Sequence, residues 1–142
     1  MKIAIGGDHA GFSYKKKIIE YLNSNGITIL DVGSKNEASC DYPDFSHLVA
    51  KSVQKKEVDF GVLVCGSANG VAMAANKHNN IRAAICWNSE IASLAKTHNN
   101  ANIICFPARF VSLDSVLRMI EVFMKKNFEG GRHLNRIKKI DI

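Results

Sequence analysis

The chain has 142 residues, 46% of them hydrophobic and 23% charged, with a formal net charge of +6; that length suits one domain able to bury its own core without disulfide or metal staples. No apolar run approaches a membrane span, and the apolar burst in MKIAIGGDHAG stops at two glycines and an aspartate, unlike a secretory signal, so a soluble cytoplasmic protein is expected. Lys125 to Ile142 carries six basic residues against two acidic ones and the remainder is near balance, so a focused anionic partner fits better than nucleic acid.

Apolar runs rich in β-formers recur, each followed by an amphipathic stretch. KIAIG precedes a helical pattern over Phe12 to Asn23, ITILDVG one over Phe45 to Lys55, and FGVLVC one over Val71 to Lys77. RAAICW then precedes Ser89 to Thr97, ANIICF precedes Leu113 to Lys125, and a basic helix closes the chain from about Gly131 to Lys139. Near-continuous apolar strands alternating with helices predict an α/β fold with a five-stranded parallel sheet covered on both faces. Ser34 to Pro43 reads as a loop, and nothing resembles a linker or repeat, so residues 1–142 form one expected domain.

In open parallel sheets, ligands bind beyond the carboxyl ends of strands. Strand three ends in CGSANG, where Gly66 and Gly70 relieve crowding, Ser67 and Asn69 offer short polar side chains, and the next helix points its amides into the turn, which suits an anion. The loop lacks the GK[ST] ending of a P-loop and the spacing of a dinucleotide fingerprint. Cys65 stands at its mouth, where a helix N-terminus is expected to lower the thiol pKa. The bland alternative is a buried apolar filler, the reading adopted for Cys86 and Cys105, with Cys40 incidental. The four cysteines show no CxxC pair or metal-ligand spacing. Asp8 and His9, ending strand one in GGDHAG, read as a turn cap and a surface residue, or as site residues. His98 suits a helix C-terminus, and Asn99 a turn. Arg132 and Arg136, one helical turn apart, share a face, and Arg109 is expected near the same sheet edge, together matching a phosphate.

Assembled, GGDHAG (residues 6–11), DYP (41–43), CGSANG (65–70), AANK (74–77), IRAA (81–84), HNNAN (98–102) and FEGGRH (128–133) closely resemble the ribose-5-phosphate isomerase B family, which includes allose- and galactose-6-phosphate isomerases. The resemblance runs essentially the whole length, and it is the order and spacing of the motifs that make it specific. It implies a Rossmann-like three-layer α/β/α sandwich and aldose–ketose isomerisation through an enediolate, with no metal or other cofactor. It implies Cys65 as the base, His98 as the ring-opening residue, and the loop Gly66, Ser67, Ala68, Asn69 and Gly70 as the enediolate cradle, Ser67 supplying a catalytic hydroxyl. Asp8, His9, Tyr42 and Asn99 correspond to substrate-binding positions, and Arg109, Arg132 and Arg136 to the phosphate and sugar clamp. A homodimer or a tetramer is implied, with sites shared between subunits.

One branch of that family replaces the cysteine by a glutamate where this chain has Val71, so Cys65 points to the cysteine branch. The chain departs from the family pattern at two positions. Ala68 stands where glycine is usual, and a positive φ there costs an alanine on the order of 1 kcal/mol. Pro107 stands where glycine is common, on the approach to Arg109. Ribose 5-phosphate is the expected substrate; a hexose 6-phosphate, or a non-catalytic phosphosugar-binding role, is the alternative.

Overall fold

A computed structural model describes residues 1–142. In chain order the elements are β1 (Lys2–Gly7), α1 (Phe12–Ser24), β2 (Thr28–Asp31), α2 (Tyr42–Gln54), β3 (Phe60–Cys65), α3 (Asn69–Ala75), β4 (Ala83–Ile85), α4 (Ser89–Thr97), β5 (Ile103–Pro107), α5 (Leu113–Lys125) and α6 (Arg132–Ile137). The strands form one sheet in the order β2-β1-β3-β5-β4, and every pairing is parallel.

Side-chain alternation along each strand explains the layers. Ile3, Ile5, Phe60, Val62, Val64, Ile104 and Phe106 point into one core with Ile18 and Leu22 of α1, Ala92 and Ala95 of α4, and Val116, Met119, Ile120 and Phe123 of α5. Ala4, Leu63, Cys65, Ile103 and Cys105 point the other way, against Val49, Ala50 and Val53 of α2 and Val71, Ala72 and Ala75 of α3. Helices on both faces of a parallel sheet make the expected three-layer α/β/α sandwich.

The expected loop Ser34 to Pro43 overshoots, because α2 begins at Tyr42 instead of Phe45. Asp41 is extended there, and Pro43 falls in the first turn, where a missing N–H costs no intrahelical bond. The second and fourth strands are shorter than their apolar runs. Beyond Asp31 the chain crosses to β1 through Gly33 O, which accepts from Gly7 N at 3.0 Å, and Ser34 N, which donates to Gly7 O at 2.8 Å. Lys15, only 2% exposed, donates to both oxygens of Asp31 at 2.7 and 2.8 Å, and Asp31 also accepts from Gly33 N at 3.0 Å. This chain of bonds holds the end of β1, and so Asp8, in register.

Candidate active site

The carboxyl ends of β1, β3 and β5 lie side by side, and their following residues enclose a cleft of about 350 Å³ lined by Asp8, His9, Ala10, Cys65, Gly66, Ser67, Arg109 and Phe110. Close backbone packing brings the walls together. A Cβ at Gly7 or Gly11 would strike the carbonyl oxygen of Val64, so glycine at both positions lets the β1 turn lie against β3 just below Cys65.

Cys65 ends β3 with its sulfur nearly covered, and its Sγ donates to Asp8 Oδ2 at 3.1 Å. The other carboxylate oxygen, Oδ1, accepts from Gly11 N at 3.1 Å. Asp8 therefore ties the turn and holds the thiol at once, although the N-cap of α1 is Gly11 rather than Asp8. The expectation of a lowered thiol pKa is corrected here. Burial first, then the hydrogen bond and charge of Asp8, push the Cys65 thiol up, and the backbone amides of Ala68 and Gly66 only partly offset this. In the resting site Cys65 is a thiol with its proton directed at a carboxylate. Cys86, whose thiol burial pushes up to about 12, and Cys105, pushed up further by full burial, face no such partner and fit the filler role.

The sign of the Asp8 effect gives a direct prediction. Alkylating reagents consume thiolate, and Asp8 stabilises the protonated form. Asp8→Asn, which removes the negative charge, is expected to move the pH midpoint of Cys65 alkylation downward, so the variant reacts faster at mildly alkaline pH. Peptide-level mass spectrometry after iodoacetamide pulses separates Cys65 from the more accessible Cys40; an unchanged or higher midpoint contradicts the assignment.

Ala68 adopts φ 64°, ψ −5°, so the left-handed conformation that glycine would favour is present with alanine in it. Its side chain is fully buried in the α2–α3 core. Burial of one methyl contributes roughly 0.8 kcal/mol, which offsets about half of the ~1–2 kcal/mol penalty of that conformation. The loop geometry survives the substitution, and the Ala68 amide is directed at the Cys65 sulfur.

Pro107 also fits. Its register partner is Cys65, and beyond it Ala108 N donates to Cys65 O at 2.9 Å and Arg109 N to Gly66 O at 3.2 Å. Alternation turns the ring nitrogen of Pro107 toward β4, whose last bond to β5 runs from Cys86 N to Cys105 O at 2.9 Å, so the proline stands where that ladder stops. The guanidinium of Arg109 then lies along Gly66, where an added Cβ would come within 3.1–3.3 Å of it. Tyr42 packs its ring over Gly70 in the first turn of α3, where any side chain would collide with it. The Nδ1 of His9 accepts from Cys40 N at 3.4 Å.

Asp8, His9, Cys65, Gly66, Ser67 and Arg109 thus meet in one cleft, with Ala68 buried behind it. Asn69 opens onto a neighbouring groove with Ala72, Met73 and Asn76. His98, Asn99, Arg132 and Arg136 lie elsewhere. Helix α4 descends from the end of β4, so His98 sits beside the amino end of β5, and Asn99 lines a groove there with Arg82 and Asp141. Glu129 N donates to Thr97 O at 3.0 Å, and the His133 ring stacks on His98 with centroids 4.2 Å apart, which fixes α6 at the same edge. The four steps of β5, about 13 Å of strand, separate this cluster from Cys65. The expectation that Arg109 shares an edge with Arg132 and Arg136 is corrected accordingly. Glu129 and His133 were not singled out in the sequence; their one-turn spacing beside Arg132 was the available signal.

The chain belongs to the ribose/galactose isomerase family, whose model matches residues 3–140. It is 37% identical to the ribose-5-phosphate isomerase B of Escherichia coli K12, over 98% of this chain and 93% of that one. The structure superposes on that of a ribose 5-phosphate isomerase from Thermotoga maritima with a TM-score of 0.97 at 44% identity, covering 99% and 97% of the two chains. The corresponding values for ribose-5-phosphate isomerase B of Mycoplasma genitalium, solved with bound ribulose-5-phosphate, are 0.93 and 43%, over 98% and 93%.

Proposed function

We propose that this isomerase interconverts D-ribose 5-phosphate and D-ribulose 5-phosphate, with Cys65 moving the proton between C1 and C2. The observation that carries the reading is the Cys65 sulfur held between Asp8 and the amides of Gly66 and Ala68 at the cleft floor. Asp8 accepts the S–H proton and leaves a thiolate held by the two amides; the thiolate takes the carbon-bound proton and returns it to the neighbouring carbon. The remaining loop amides and the Ser67 hydroxyl face the oxygen on which enediolate charge develops. Arg109 and His9 bind the anionic substrate beside them.

Ring opening and phosphate binding fall to His98, Asn99, Arg132 and Arg136. Their distance from Cys65 within one chain supports a homodimer in which one protomer's cleft is completed by these residues of its partner. A working thiol suits a reducing cytoplasm, and no helix is long and apolar enough to cross a membrane.

Assaying the purified protein on ribose 5-phosphate, allose 6-phosphate and galactose 6-phosphate tests the substrate. Turnover is expected to be highest on ribose 5-phosphate; turnover on a hexose phosphate alone would replace the substrate, and binding without turnover would replace the enzyme by a phosphosugar-binding subunit.

A further inference from the structure

At the amino edge of the sheet, His98 stands in a cluster with two titratable residues that the reaction given above does not use. The His133 ring lies over the His98 ring with centroids 4.2 Å apart and planes 15° from parallel. Nε2 of His98 lies 3.6 Å from Glu129 Oε2, and Nε2 of His133 lies 3.8 Å from the same oxygen. One carboxylate therefore faces the edges of both stacked rings at ion-pair distance.

The chain is built to hold this arrangement. His133 is the one residue that α6 buries, its side chain 10% exposed against 36% for His98. The bond from Glu129 N to Thr97 O ties the segment after α5 to the end of α4, where His98 is the C-cap. A half-exposed imidazole at a helix end is otherwise free to change rotamer. The stacked ring removes that freedom, and the backbone bond beside it sets the carboxylate.

Opening a sugar ring asks for more than a placed imidazole. The ring nitrogen takes the proton of the O1 hydroxyl and a proton is passed on to O4; the O1 electron pair closes the C1 carbonyl as the C1–O4 bond breaks and leaves its pair on O4. Between the two transfers the imidazole is a cation, which a neighbouring carboxylate stabilises and a second stacked cation would oppose. Burial, then positive charge on His98, Arg132 and Arg136, depress the proton affinity of His133 against the opposing pull of Glu129, so the ring beside the imidazolium stays neutral. We propose that Glu129 and His133 are positioning residues for ring opening: His133 fixes the plane of the His98 imidazole, and Glu129 stabilises the imidazolium that His98 forms. The proposal rests on the ring-opening role given to His98 above.

The two directions of the isomerisation separate this role from a structural one. Ribose 5-phosphate is a closed ring that must open before C2 can lose its proton. Ribulose 5-phosphate, with its C5 oxygen esterified, enters as an open chain, and its aldose product can close in solution after release. Glu129→Gln and His133→Ala are each expected to lower kcat on ribose 5-phosphate roughly tenfold, part of what a positioned acid–base group supplies, and to keep kcat on ribulose 5-phosphate within about twofold of wild type. His133→Phe, which keeps a stacked ring, is expected to recover most of the loss. His98→Asn is expected to show the same imbalance more strongly. Equal loss in both directions for Glu129→Gln and His133→Ala is what a merely structural role produces, and it would overturn the proposal, as would an unchanged rate on ribose 5-phosphate in both. If either result comes with His98→Asn still imbalanced, the positioning alone is wrong. If His98→Asn itself slows both directions alike, the ring-opening role fails and the proposal falls with it.

Discussion

Cys65→Ala is expected to lower kcat by about 10²–10⁴-fold, the range that a positioned acid–base group supplies, with KM little changed. In the proposed mechanism the sulfur exchanges the proton with carbon, with Asp8 taking the proton that the thiol gives up, while binding of the substrate's phosphate falls to arginines. Folding is expected to survive. The side chain is small, and Asp8 keeps its bond from Gly11 N when the thiol is gone. Cys65→Ser sharpens the test, because a hydroxyl can still donate to Asp8 but does not ionise near neutral pH. It is expected to be as inactive as the alanine variant. Steady-state rates on ribose 5-phosphate for both variants check this, and either one retaining more than about a tenth of wild-type kcat removes Cys65 as the base.

The sheet, its layers and the position of the cleft were legible in the sequence because they rest on local patterns: apolar strands, helical periodicity, and polar residues at strand ends. Cys65 stood out for the same reason. Its protonation state did not, because that depends on Asp8, 57 positions away in the chain and brought alongside only by pairing of β1 with β3. Reading a helix N-terminus as the controlling influence named a real but minor effect, since the Ala68 and Gly66 amides are outweighed by burial and a carboxylate. Ala68 shows the converse. Sequence pattern flagged a strained position correctly, but the compensating methyl contact exists only once α2 and α3 pack together. The first turn of α2 is hidden in the sequence because Pro43 suits a loop as well as a helix start.

The sharpest gap between sequence and structure is the division of the site residues between opposite sheet edges, and it leads to the second large expected effect. Motif order places HNNAN and FEGGRH in the same list as CGSANG, and nothing in a linear sequence distinguishes residues that meet within a chain from residues that meet between copies. The chain's own geometry keeps the two groups apart within one copy, since α4 and α5 both run back down the sheet before His98 and Arg132 appear. If the partner's His98 completes each cleft, Cys65→Ala and His98→Asn homodimers are each inactive for different reasons. Mixing the two as unfolded chains and refolding them together is expected to restore about a quarter of wild-type activity. Random pairing makes half the dimers mixed, and each mixed dimer carries one cleft with both residues intact and one with neither. Recovery at that level, from parents each reduced about 10²-fold or more, is a gain no intrachain site can produce. If the co-refolded mixture is dimeric by light scattering yet no more active than its parents, the shared site is wrong and His98 must act within its own chain, through a rearrangement of α4 across the height of the sheet.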